Sequence, residues 1–183
     1  MNFVKKILLA TAFGLIGLNT FAYEQSNRLV SATPVVLDLG LFEDKRVADY
    51  MELMEDSLNT STLFYSRVSP EMAAVIKPVK VPDEAKELIS CMLEKVDDEN
   101  LNTEYKNTIS QVRQFMTYIE DTPTLTVMTM QSDAQFQAIQ EKALGPEFEA
   151  INKIIEECGV LDLSMKLTMQ TGVMEAFKLL PQD

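Results

Sequence analysis

Two cysteines are the residues in this chain whose type and spacing commit them most plainly to chemistry. Cys91 and Cys158 stand 67 positions apart. Redox-active pairs usually sit as Cys-x-x-Cys, where one thiol has a lowered pKa. A structural bridge is therefore the expected role in an oxidising compartment. It would close a loop of about 68 residues, worth about 4 kcal/mol at most on the chain-entropy estimate.

The other route to chemistry is closed by composition. The chain has no histidine. That removes Ser-His-Asp and Cys-His activation of a nucleophile, the Glu-x-x-His pairs of di-iron bundles and His-Glu-x-x-His metalloproteases. With both cysteines bridged, transition-metal ligands are largely gone as well. Asp98-x-Asn100-x-Asn102 opens with the rhythm of an EF-hand loop. The sixth position is then Thr103, where Gly is required, and the twelfth is Ile109, where a bidentate Glu is required. A solvated helix end is the better reading. Met128 with Met130, or Met165 with Met169 and Met174, carry thioethers that suit copper(I). Methionine also fills cores and adaptable surfaces, and most of these residues lie on or beside apolar stripes, so packing is the expected role. With 28 acidic residues some carboxylate pair always looks suggestive, and none is assigned to glycoside cleavage without geometry. There is no Trp to stack on sugars, and the six glycines form no phosphate loop. Asn59-Thr60-Ser61 is a glycosylation sequon, which matters only in a eukaryotic host. The expectation is a non-enzyme with no catalytic residue, metal or cofactor; Cys91 and Cys158 are the only residues singled out, in a structural role.

The elements that must position the two cysteines are helices. Val47, Tyr50, Met51, Met54 and Leu58 form an amphipathic stripe, followed by a polar pause at Asn59–Thr62. Ser69-Pro70-Glu71 opens a short helix ending before Pro78, with Ser69 as its cap. Two prolines make 78–82 a stiff, extended connector. Ala85, Leu88, Ile89, Met92 and Val96 stripe the next helix, with Cys91 just off the stripe. Tyr105, Ile109, Val112, Met116 and Ile119 give the clearest bundle seam. Thr124–Met130 fits helix and strand, and the helical context favours helix. Ser132 and Gln135 read as a capping box for a helix carrying Phe136, Ile139 and Ala143, ending near Gly145. Phe148, Ile151, Ile155 and Cys158 stripe another, which Gly159 stops. A last helix runs from about 162 to 180 with Leu163, Leu167, Val173, Met174, Phe177 and Leu180 inward. Residues 23–41 read as an extended lead-in or short strand. The fold class expected is all-α, a bundle of about six or seven amphipathic helices with one interhelical disulfide.

The first 22 residues have the layout of a cleavable signal peptide. Lys5 and Lys6 are basic, Ile7–Leu18 are apolar, and small residues precede Tyr23. A 12-residue run is too short to span a bilayer, which takes roughly 20. The expected organisation is a signal peptide over 1–22 and a single helical domain over 23–183, periplasmic or secreted after cleavage. Removing Lys5 and Lys6 leaves 14 basic against 28 acidic residues, a net charge of −14. This excludes a nucleic-acid surface, which needs clustered Lys and Arg, and disfavours anionic lipid. It would steer a basic protein toward this one. The function expected is an exported, non-catalytic protein-binding protein with an acidic surface: an inhibitor, immunity-type protein or assembly factor. A carrier of an apolar ligand between helices is the alternative, and a His-free hydrolase is the third. Mass spectrometry of the unreduced, alkylated protein should find no labelled thiol. Free labelling of both cysteines would remove the staple and the helix pairing it implies.

Overall fold

The computed structural model of the chain describes residues 45–143 and 146–180. The leader, the 23–41 lead-in and the helix stop expected at Gly145 lie outside the described residues. Among those residues there are eight α-helices and no strand: α1 (Lys45–Ser66), α2 (Pro70–Val75), α3 (Ala85–Asp98), α4 (Asn102–Asp121), α5 (Ala134–Ala143), α6 (Pro146–Glu157), α7 (Val160–Gln170) and α8 (Val173–Lys178). The fold is the expected all-α bundle with a disulfide between helices. No helix among these residues is long and apolar enough to cross a membrane.

Helix α1 is the spine. It packs against α2, α3, α4, α7 and α8 through Val47, Tyr50, Leu53, Met54, Leu58, Phe64 and Tyr65. It does not pause at Asn59–Thr62, as the polarity of that stretch predicts, but continues to Ser66. Each polar side chain there has a partner. Thr62 Oγ1 donates to Asn59 O at 2.6 Å and Ser61 Oγ to Ser57 O at 3.0 Å. Thr60 Oγ1 donates to Glu120 Oε1 on α4 at 2.9 Å. Asn59 accepts from the Val79 N–H at 3.1 Å and donates to the Val79 carbonyl at 3.4 Å. Thr60 and Thr62 are buried and Asn59 and Ser61 half-buried, all with hydrogen bonds made, which removes the penalty that would have ended the helix. The same Asn59 pair docks the proline connector onto α1.

An aromatic cluster joins α1, α4 and α5. Phe136 stacks on Phe64 at 5.9 Å and tilts against Phe115 at 5.2 Å, geometry that adds to simple area burial. The α3–α4 corner is a two-bond turn: Leu101 N–H reaches Val96 O at 2.8 Å and Asn100 N–H reaches Asp97 O at 3.1 Å. Asn100 takes the left-handed conformation at φ 56°, which Asn tolerates better than most residues. Ser69 caps α2, accepting from the Met72 N–H at 3.2 Å.

Three further expectations are corrected. Of residues 124–130, 124–129 form neither helix nor strand but turns, and Met130 opens a short 3₁₀ helix, Met130–Ser132. Their threonine hydroxyls bond nearby backbone instead of leaving it to a helix: Thr129 Oγ1 accepts from Thr126 N–H at 3.0 Å and Thr126 Oγ1 from Met128 N–H at 3.2 Å. The cap of α5 is Asp133, not Ser132. Asp133 Oδ1 accepts from the Phe136 N–H at 2.8 Å, while Ser132 Oγ donates backward to Thr129 O at 2.8 Å. The single helix expected over 162–180 is two helices, α7 and α8, broken at Gly172.

That break is forced by a backbone crossing. Gly172 has φ 77°, and a Cβ there would lie 2.1 Å from the carbonyl oxygen of Val75. The adjacent Thr171 carbonyl accepts the Lys77 N–H at 2.8 Å, stitching the end of α2 to the α7–α8 junction. Gly159, at φ 75° between α6 and α7, has room by comparison, its nearest neighbour being Leu88 Cδ2 at 3.8 Å. Gly159→Ala should therefore cost about 1 kcal/mol for the left-handed backbone alone. Gly172→Ala should cost about 3 kcal/mol or more, because the crossing must also open. Urea unfolding of the two variants measures the difference, and equal losses would contradict the crossing.

Candidate functional site

The bridge between Cys91 on α3 and Cys158 at the end of α6 is formed, with Cα atoms 5.8 Å apart, inside the usual range for a disulfide. Cys158 is buried by the apolar stripe that carries it, and Cys91 is half-buried beside its own stripe. Two ion pairs surround the bridge. Lys95 reaches Glu157, and Lys153 lies 3.8 Å from the same carboxylate. The bridge joins α3 to the end of α6.

A second arrangement is electrostatic and lies on α1 and α3. Arg46 near the start of α1 makes a two-pronged pair with Asp97 near the end of α3, at 3.0 and 2.9 Å. Glu55, further along α1, accepts the Val81 N–H just ahead of α3 at 3.0 Å. These two ties run α1 and α3 antiparallel. On the outward row of α1, Asp49, Glu52 and Asp56 are spaced three and four apart and all are exposed. On the outward row of α3, Glu87, Glu94 and Asp98 are exposed as well. Among the described residues none of these six carboxylates is in an ion pair.

Many of the cations, by contrast, are engaged within the fold. Arg46, Lys86, Lys95, Lys153 and Lys178 pair with Asp97, Asp83, Glu157, Glu157 and Glu175. Arg67 covers the carboxyl end of α4, donating to the carbonyls of Ile119 at 2.6 Å, Thr122 at 3.1 Å and Leu125 at 3.4 Å. Its positive charge meets the negative end of the helix dipole. The result is two neighbouring helices with acidic outer rows.

At the junction of α1, α4 and α6, a cavity of about 10 Å³ is walled by Tyr50, Ser57, Thr108, Val112, Phe148 and Ile151 among others. That is about the space of one water molecule, whereas ligand pockets run to several hundred Å³. Burial pushes the Tyr50 phenol far above its ordinary range, with a smaller push from Tyr105, so it is a neutral packing group. The methionines divide as the apolar stripes imply: Met54, Met72, Met92, Met116 and Met130 are buried, while Met128 and Met169 are exposed. Sequence reasoning placed the two cysteines but not the acidic rows. Their 3-4 and 7-4 spacing was available as a signal, though which helix faces point outward was not.

Comparison with protein-family models, with curated proteins and with solved structures gives no match.

The ion pairs set the response to acid. The Arg46 guanidinium, and then Asn102, hold the Asp97 carboxyl below the usual carboxylate value. Lys95 does the same to Glu157. A carboxyl with a depressed native pKa stays ionised in the fold at pH values where it is protonated when unfolded. Its stabilisation is complete above the ordinary value of about 4 and fades as pH falls through the lower native values. Both side chains are well exposed, so solvent screens the effect. The urea midpoint should hold steady from about pH 6 to 5 and drop below about pH 4. Glu157→Gln should lower the midpoint slightly near neutrality and converge with the parent at the acid end. A variant curve parallel to the parent across the whole range would show that this pair does not contribute.

Proposed function

We propose that this chain is an exported, non-catalytic protein-binding protein whose acidic face engages a basic protein partner, in the manner of an inhibitor, immunity-type protein or assembly factor. The observation that carries the reading is the pair of unbalanced acidic rows, Asp49, Glu52 and Asp56 on α1 with Glu87, Glu94 and Asp98 on α3, beside cations committed to the fold. Exposed carboxylates of one sign raise the encounter rate with an oppositely charged surface and repel wrong partners. The same rows disfavour nucleic acid and anionic lipid, which need positive charge. The Cys91–Cys158 bridge suits an oxidising compartment. It agrees with the signal-peptide reading of residues 1–22 and a periplasmic or secreted address.

In-cell crosslinking of the tagged protein in its native host identifies the partner, and the partner is then purified. Raising salt from about 0.1 M to about 1 M shortens the screening length from about 10 Å to about 3 Å. Association should slow by about tenfold or more over that span. The triple variant Asp49→Asn, Glu52→Gln, Asp56→Asn should slow it comparably at low salt, with an unchanged circular dichroism spectrum. Association that ignores both salt and the triple variant would refute electrostatic engagement by this face.

A further inference from the structure

We propose that Met128 and Met169 are modification sites: the two thioethers that a hydroperoxide oxidises first, to methionine sulfoxide, in a fold that accepts the change at both. The proposal is independent of the protein-binding reading above and uses side chains that reading leaves idle.

Composition narrows the target. The chain has no Trp and no His, and its two cysteines are closed in the Cys91–Cys158 bridge. That leaves the thioether as the most readily oxidised side chain. Ten methionines lie among the described residues, and the fold sorts them. Met54, Met72, Met92, Met116 and Met130 are buried, and Met51, Met165 and Met174 are half-buried. Met128 is 53% exposed and Met169 is 64% exposed.

Local structure holds each of the two outward. Met128 lies on the loop ahead of α5, whose apolar residues Leu125, Val127 and Met130 are all buried. Thr126 Oγ1 accepts the Met128 N–H at 3.2 Å, and Thr126 O accepts the Met130 N–H at 3.0 Å. Arg67 ties the same loop to α1 through Leu125 O at 3.4 Å. The loop thus fills the core without Met128. On α7, Met169 shares an outward row with Asp162 and Lys166, which are exposed as well. Leu161, Leu167 and Thr168 supply the buried side of that helix. Neither Met128 nor Met169 belongs to the apolar core.

The chemistry needs only the oxidant. A sulfur lone pair attacks the outer oxygen of the hydroperoxide, and the O–O bond breaks. Sulfur gives up two electrons and keeps the oxygen. The proton that oxygen carried passes to the departing group, which leaves as water or an alcohol. The product is a polar, chiral sulfoxide. At Met54 or Met130, both 0% exposed, its oxygen would be buried among apolar groups. At Met128 and Met169 water supplies the hydrogen-bond donor, and no core contact is lost.

The test exposes the full, disulfide-bonded chain to hydrogen peroxide and follows each methionine by peptide mass spectrometry. Met128 and Met169 should be oxidised about tenfold or more faster than the five buried methionines, which react only when the structure opens. In concentrated urea all ten should react at closely similar rates, because the fold makes the difference. The doubly oxidised protein should keep its helical circular dichroism and its urea midpoint. The double variant Met128→Leu, Met169→Leu nearly conserves volume and should lose the fast phase while the slow phase stays unchanged. Another methionine reacting as fast as these two overturns the proposal. So does a sorting that persists in urea, or a urea midpoint that falls when the pair is oxidised. Met130 reacting in step with Met128 would show that the loop opens as a unit, and would overturn it as well.

Discussion

The bundle depends on α1 staying helical through Asn59, Thr60, Ser61 and Thr62. Five other helices pack on α1, and several do so beyond that point, where Phe64 and Tyr65 enter the core almost fully buried. Four consecutive polar residues, two buried and two half-buried, would ordinarily be destabilising, since each unpaired buried polar group costs about 1–3 kcal/mol. Here two bond back to carbonyls of their own helix and two reach out, one to Glu120 on α4 and one to the connector at Val79. The polar stretch thereby becomes a set of joints. It fixes α4 and the proline connector in register on the spine, and the connector in turn delivers α3.

From α3 the construction proceeds to the far side of the molecule. The disulfide holds α3 to the end of α6, one residue before the left-handed Gly159 from which α7 starts. The α7–α8 junction then returns to cross the end of α2 at Gly172. Covalent closure, a hydrogen-bonded spine and a backbone crossing each constrain a different part of the bundle. The chain-entropy contribution of the disulfide grows with the length of the loop it closes.

The charge distribution is a consequence of this framework. Arg46, Lys95 and Arg67 anchor elements to each other through Asp97, Glu157 and the carbonyls that end α4, while Lys86, Lys153 and Lys178 pair locally with Asp83, Glu157 and Glu175. The exposed rows of α1 and α3 keep their carboxylates without such partners among the described residues. Surface ion pairs of this kind contribute little individually to stability. Each paired cation offsets the carboxylate it meets, so the negative field comes from the carboxylates that have no such partner.

Composition and period alone determined the all-α class, the amphipathic stripes of α1, α3, α4 and α6, the cap at Ser69 and the pairing of Cys91 with Cys158. These are properties of spacing within one element, or of there being only two cysteines to pair. The continuation of α1 past Asn59, the turns over 124–129, the cap at Asp133 and the break at Gly172 were decided by the tertiary structure. In each case the deciding partner is outside the local pattern or competes with it: Val79 and Glu120 for α1, threonine hydroxyls against helix bonds for the loop, the Phe136 N–H for the cap. At Gly172 the partner is the Val75 carbonyl nearly a hundred residues earlier. The acidic rows belong to both levels. Their charge and spacing are written in the sequence, but only packing says which side of a helix faces solvent, because burial is set by the neighbour a helix finds.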